Sequence, residues 1–297
     1  MKKFFIVLSC VFLVLTAIFL YMAIYEKNNL EEEQKQIDKL IENVVIDETT
    51  EHSTEDNNVT EDTGRIENSE DTTIETDTTQ PPTSETKPEK NEETKPTYST
   101  PSAVNIDKLK DTNSDTQGWI YLENSNINYP FVHSTGNEYL RKSFYGKKSD
   151  AGTIYCYDNQ NIASVDNLDK NVVLYGHNMN NGTMFYYVDY LRRNTSTLKS
   201  GYNKYIYVYT ENHIYKYEIF SVYKIEKNEN FNQVYFKDDA DFVSFCNDLY
   251  NRSVYKGVKP DFSDKSIITL ATCTSGSSKT HRTALHAVLI EVKENKY

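Results

Sequence analysis

Cys273 and Arg282 stand nine residues apart at the facing ends of two β-branched, apolar runs, Ile267 to Thr272 and Ala284 to Ile290. The stretch between them, Thr-Ser-Gly-Ser-Ser-Lys-Thr-His, is small and polar, the pattern of two strands joined at an exposed end. A hairpin-like return brings a thiol and a permanent cation to one sheet edge. The thiolate is the reactive form of cysteine, and fixed positive charge at a strand end both exposes and stabilises it. His177 is a second reactive side chain at a strand end. It follows the buried run Val172-Val-Leu-Tyr175 in the context Tyr-Gly-His-Asn-Met-Asn-Asn-Gly182.

The other cysteines and histidines read as packing. Cys156 lies within the apolar run Gly152–Tyr157, and Cys246 shares a helical face with Phe242, Phe245 and Leu249. With Cys273 they make an odd number outside the apolar N-terminal run, which leaves one thiol unpaired. His281, in the loop, and His286, alternating within an apolar strand, are conceivable rival bases; His133 and His213 read as strand-edge or turn residues. Thr272, Ser275, Tyr255 and Asn178 are candidate substrate contacts, Asn178 doubling as a turn former beside His177. Chemistry of this kind needs no metal and no cofactor, and no ligand pattern for either is present.

These residues need a scaffold, and the composition confines it to the C-terminal two thirds of the chain. Residues 1–3 are a lysine-bearing end and 4–25 an uncharged apolar run long enough to cross a bilayer. Lys2 and Lys3 mark that end as cytoplasmic and everything after Glu26 as external. The run is followed by no small-x-small cleavage pattern, which favours a retained anchor over a signal peptide. Residues 26–46 carry Leu30, Ile37, Leu40, Ile41 and Val44 at helical spacing, a juxtamembrane helix. Residues 47–100 are rich in Thr, Ser, Pro and acids and predict a disordered linker, with the role of a spacer lifting a domain off the membrane. That linker holds sixteen Asp/Glu against four Lys/Arg, and its net −12 equals the charge of the whole chain. The rest is neutral overall, without the basic patch that nucleic acid requires.

Residues 101–297 predict one mostly β domain. A short helix is expected over 103–109. About eight strands follow, over 118–122, 127–132, 152–157, 171–175, 205–209, 214–220, 266–272 and 283–291. That number fits a sandwich or a closed barrel. Two helices interrupt the strands: one with Met184, Tyr187, Val188 and Leu191 on a face, the other after Asp238-Asp239, immediately before the cysteine-bearing strand.

Leu174-Tyr-Gly-His-Asn178, Thr269-Leu-Ala-Thr-Cys273 and Arg282 resemble the His, Cys and Arg motifs of sortases, the cell-wall transpeptidases of Gram-positive bacteria. The resemblance spans roughly 101–297, and the helix before the cysteine strand, with helical material ahead of the first strand, looks like class B. It implies an eight-stranded closed β-barrel, with Cys273 as nucleophile, His177 as general acid/base and Arg282 as stabiliser of the transition state. It also implies the partners: secreted proteins bearing a C-terminal sorting signal, and an amine of the peptidoglycan cross-bridge or a pilin lysine. The location implied is a single-pass cell membrane protein with its domain at the Gram-positive cell surface. Two other readings stay open: a thiol peptidase or acyl hydrolase that uses water as acceptor, and a non-enzymatic binding domain displayed on the acidic linker.

Overall fold

The computed structural model describes residues 2–47, 99–276 and 279–297. The apolar run and the charged stretch after it form one unbroken helix, α1 (Lys2–Val44). From Ser9 onward its N-terminal half is long and apolar enough to cross a membrane, and that stretch is not buried against the protein. The C-terminal half docks. Leu40 and Val44 are buried, Leu30 and Ile37 pack on the domain, and Ser149 Oγ donates to Glu33 Oε2 at 2.6 Å. Burial of the Glu33 carboxyl raises its pKa.

The end of α1 runs into a short strand, β1 (Val45–Asp47), antiparallel to β2 (Pro101–Val104), with Asp47 opposite Pro101. Asp47 and Pro101, at the two ends of the acidic stretch, are thus neighbours. Apart from those ends, the predicted disordered linker lies outside the described residues. The helix expected over 103–109 begins later, as α2 (Ile106–Thr112), because β2 takes residues 101–104 and Asn105 caps the helix by accepting from Lys108 N at 2.8 Å.

Eight strands then appear: β3 (Thr116–Leu122), β4 (Asn128–Ser134), β5 (Ile154–Tyr157), β6 (Asn171–Tyr175), β7 (Tyr205–Tyr209), β8 (His213–Glu226), β9 (Ile267–Cys273) and β10 (His281–Glu294). They close into a barrel in the order β10-β8-β7-β3-β4-β5-β6-β9. The strand count matches the expectation, and closure excludes the sandwich. β8 and β10 outrun their predicted ends because they pair with each other along their whole length, with bulges at His286/Ala287 and Leu289/Glu291. β4–β5 and β6–β9 are parallel, the other neighbours antiparallel.

Side-chain alternation sorts the core into two layers. Val172, Leu174, Ile268, Leu270, Leu285 and Ala287 point into the barrel, where α3 (Tyr186–Arg193) adds Val188 and Leu191. A short helical turn, α4 (Ser196–Lys199), follows. Val173, Ile267, Ala271, Ala284 and Val288 point outward under α5 (Asp239–Arg252), which supplies Phe242, Phe245, Cys246 and Leu249. Asp238 caps α5, accepting from Asp241 N at 2.9 Å. Cys273 and Arg282 continue the outward set; Thr272 and Thr283 continue the inward one.

Candidate active site

Cys273 ends β9, and Arg282 is its register partner on β10. Directly opposed residues of an antiparallel pair project to the same face with Cβ atoms about 5 Å apart. Arg282 is half-buried, and its Nη1 donates to the His281 carbonyl at 3.0 Å. Cys273 is half-buried as well. Cys156 and Cys246 are fully buried, and burial pushes both thiols up to about 12, which leaves them inert.

The His177 loop is sewn to the same edge. β6 lies parallel to β9, with Tyr175 opposite Ala271. Past that pair, Gly176 N donates to Ala271 O at 3.2 Å and Thr272 Oγ1 donates to Gly176 O at 2.8 Å. Asn178 Nδ2 donates to Cys273 O at 2.8 Å and to Ser275 Oγ at 3.1 Å. The residues on either side of His177 are thus tied to Thr272, to Cys273 itself and to Ser275. Gly176 is required here by close approach, since a Cβ would lie 2.8 Å from the Phe185 ring. Phe185 in turn donates its N–H to His177 O at 2.8 Å.

The imidazole has a defined tautomer. His177 Nε2 lies 2.9 Å from the carbonyl of Leu140, which only accepts, so Nε2 carries the proton and Nδ1 is the basic nitrogen. Burial lowers the His177 pKa, and Arg141 lowers it further, against the Leu140 hydrogen bond and Asp150.

The other sequence candidates fall into place individually. Thr272 is buried with its hydroxyl committed to Gly176, and Asn178 is a brace between the two loops. Ser275 is exposed beside Cys273. Tyr255 is half-buried in the segment after α5, its N–H donating to Ser253 Oγ at 3.1 Å. His281 Nδ1 lies 2.8 Å from Thr280 Oγ1 in the loop. His286 is fully buried under α5, 2.8 Å from Thr269 Oγ1 and 3.1 Å from the Tyr223 hydroxyl, and burial brings its pKa down to about 3. The sequence reading passed over Asp189 of α3, whose carboxylate is wholly buried beside the Cys273 loop. Its signal was a lone acid between apolar Val188 and Leu191, just before Arg192 and Arg193. Among the described residues, no three or more His, Cys, Asp or Glu are grouped so as to hold a metal ion.

Residues 120–290 match the family model described as the sortase domain. Sortase B of Staphylococcus aureus is 32% identical over 192 residues, covering 63% of this chain and 75% of that protein. Sortase B of Listeria monocytogenes is 33% identical over 180 residues, covering 56% and 67%. Among solved structures, Clostridium perfringens sortase B is similar with a TM-score of 0.56 at 31% identity, over 62% of this chain and 99% of that one. The Staphylococcus aureus sortase B–substrate complex gives 0.57 at 26% identity, over 63% and 84%.

Proposed function

Because the chain belongs to the sortase family of cysteine transpeptidases, we propose that it joins the acyl part of a C-terminal sorting signal to an amine of the cell-wall peptidoglycan, with Cys273, His177 and Arg282 as its catalytic residues. Cys273 Sγ attacks the carbonyl carbon of a threonine in the signal while His177 Nδ1 takes the thiol proton. Arg282 donates hydrogen bonds to the oxygen that becomes negative, a charge-assisted contact that strengthens in the transition state. When the tetrahedral adduct collapses, the C–N bond breaks, the imidazolium returns its proton to the leaving amine, and a thioester remains on Cys273. An incoming amine then attacks the thioester carbon, gives its proton to His177, and releases the thiol.

The observation that carries this reading is the register pairing of Cys273 with Arg282, combined with the bonds that lock the His177 loop to the same strand end. Tyr255, in the segment after α5, and Ser275 are the proposed substrate contacts. Thr272 and Asn178 act as braces instead. A pilin lysine is the alternative acceptor. We place the barrel outside the cell, on a single-pass anchor formed by residues 4–25, from the apolar half of α1 and the two lysines ahead of it.

The test uses the full chain in detergent, a panel of sorting-motif peptides and an oligoglycine amine, read by intact-protein and product mass. The expected result is a Cys273-dependent acyl-enzyme that resolves into an amine-linked product. Peptide cleaved to the free acid with every amine offered supports a thiol hydrolase instead. No adduct, together with a thiol that fails to alkylate selectively, supports a displayed binding domain.

A further inference from the structure

Among the described residues, the Asp189 carboxylate is a charge buried beside the Cys273 loop yet used by no step of the reaction proposed above. Its side chain has no exposed surface, and a bare carboxylate there would be strongly unfavourable. It is compensated at both oxygens. Oδ1 accepts from Thr283 Oγ1 at 2.6 Å and Arg192 Nε at 2.9 Å; Oδ2 accepts from Arg193 Nε at 3.2 Å and from the Ser275 backbone N–H at 3.3 Å.

The identity of those partners matters more than their number. Thr283 is the residue after Arg282, and Ser275 is two residues after Cys273. One carboxylate therefore grips both arms of the loop that separates the two reacting residues. The grip is directional. Thr283 has a single hydroxyl hydrogen, given to Asp189, so at the 3.1 Å contact between Thr274 and Thr283 the Thr274 hydroxyl must be the donor. Thr283 also accepts from Arg192 Nε at 3.2 Å. A chain of oriented bonds thus runs from α3 through Thr283 to Thr274, the residue next to the thiol.

Strand alternation gives this chain its effect. Thr283 faces the barrel interior and α3, so its neighbour Arg282 faces the opposite side, where Cys273 projects. Holding Thr283 from below sets the direction in which the guanidinium leaves the sheet. Holding Ser275 sets where β9 stops and hence how far Cys273 stands out.

We propose that Asp189 is the positioning residue of this active site, a buried anion that fixes Cys273 and Arg282 relative to each other through Thr283, Thr274 and the Ser275 amide. The proposal rests on the transpeptidase reading for its kinetic consequence and on the hydrogen bonds alone for its structural one.

The test compares full-chain Asp189→Asn, Thr283→Val and the double variant, each checked for a cooperative thermal transition. With a sorting-motif peptide, Asp189→Asn is expected to lower kcat by about tenfold or more while KM stays within about twofold, because geometry at the reacting atoms is lost and peptide binding is not. Thr283→Val should do the same, and the double variant should be no worse than the poorer single one, the mark of a shared pathway. Amide exchange over 274–283 should rise about tenfold in both single variants while 267–272 is unchanged. Wild-type kcat and exchange in a folded Asp189→Asn overturn the proposal, as do fully additive effects in the double variant. If Asp189→Asn does not fold, Thr283→Val decides in its place by the same two readings. If the parent turns over no peptide, the transpeptidase reading fails while the exchange data still decide the positioning role.

Discussion

Two polar clusters strap β9 to β10, and they are built on opposite plans. The first lies mid-barrel on the outward face, sealed under α5: Tyr223 donates to His286 Nε2, His286 Nδ1–H to Thr269, and Thr269 to Asn171, with distances of 3.1, 2.8 and 2.8 Å. Every member is uncharged, and the whole chain is closed within the fold. The second lies at the rim on the inward face, where Asp189, Arg192 and Arg193 are charged and the bonds end on Thr283, Thr274 and Ser275. Two bonded histidines carry the same contrast. His286 has both ring nitrogens occupied by neighbours, whereas His177 anchors only Nε2 on Leu140 and leaves a basic nitrogen at the strand end. Neutral closed networks hold strands together; charged networks that end on a loop hold it in one shape for use.

The largest break in this comparison comes from the thiol itself. Cys273→Ala is expected to abolish acyl-enzyme formation with little change in thermal stability, while Cys156→Ala keeps turnover and loses about 1 kcal/mol of stability through the cavity it leaves. Intact-mass trapping and calorimetry on the two variants read both halves. Arg282→Lys comes next. It keeps the charge but loses the planar fork, and kcat should drop about 100-fold with the melting transition unmoved.

His286→Gln tests the closed cluster, and its expected signature is in stability. The His286 pKa is about 3 in the folded protein, below the ordinary histidine value. As pH falls below about 6.5 the unfolded chain takes up a proton that the folded chain refuses, so stability declines by about 1.4 kcal/mol per pH unit from that group until about pH 3. The variant lacks this term. Urea midpoints measured from pH 7 to 4 should fall less steeply for His286→Gln than for the parent, and turnover at pH 7 should be retained. Equal slopes would remove the buried neutral imidazole from the account. The smallest effect is expected for Asn178→Ala, which loses the bonds to Cys273 O and Ser275 Oγ: kcat lower by less than tenfold, with about 1 kcal/mol less stability.

Much of this was legible beforehand for a local reason. Alternation in Tyr205–Tyr209 or Ile267–Thr272 is a property of a few residues, and so is a cysteine standing where such a run stops. What escaped was set by distance in sequence. The closure of β10 on β8 and the parallel pairings β4–β5 and β6–β9 leave no mark within any strand. Asp189 is 94 residues from the Thr283 hydroxyl it accepts from, so its role is invisible until α3 is seated in the barrel mouth. Asn178 reads as a turn former or a substrate contact, because turns are what asparagine forms locally; the bond from its amide to Cys273 O is set by residues 95 apart. The apolar stripe of α1, with Leu30, Ile37, Leu40 and Val44, is legible in the sequence. Such a stripe calls for a partner surface, and the domain supplies it.

That docking separates the covalent path from the mechanical one. Between Asp47 and Pro101 the chain runs through residues 48–100, but Asp47 and Pro101 are already opposite each other. A pull on α1 reaches the barrel through Glu33, Leu40, Val44 and the β1–β2 ladder, as through a bolted bracket. A single protease cut within residues 48–100 would leave the two fragments travelling as one particle, with the barrel still held against its own helix.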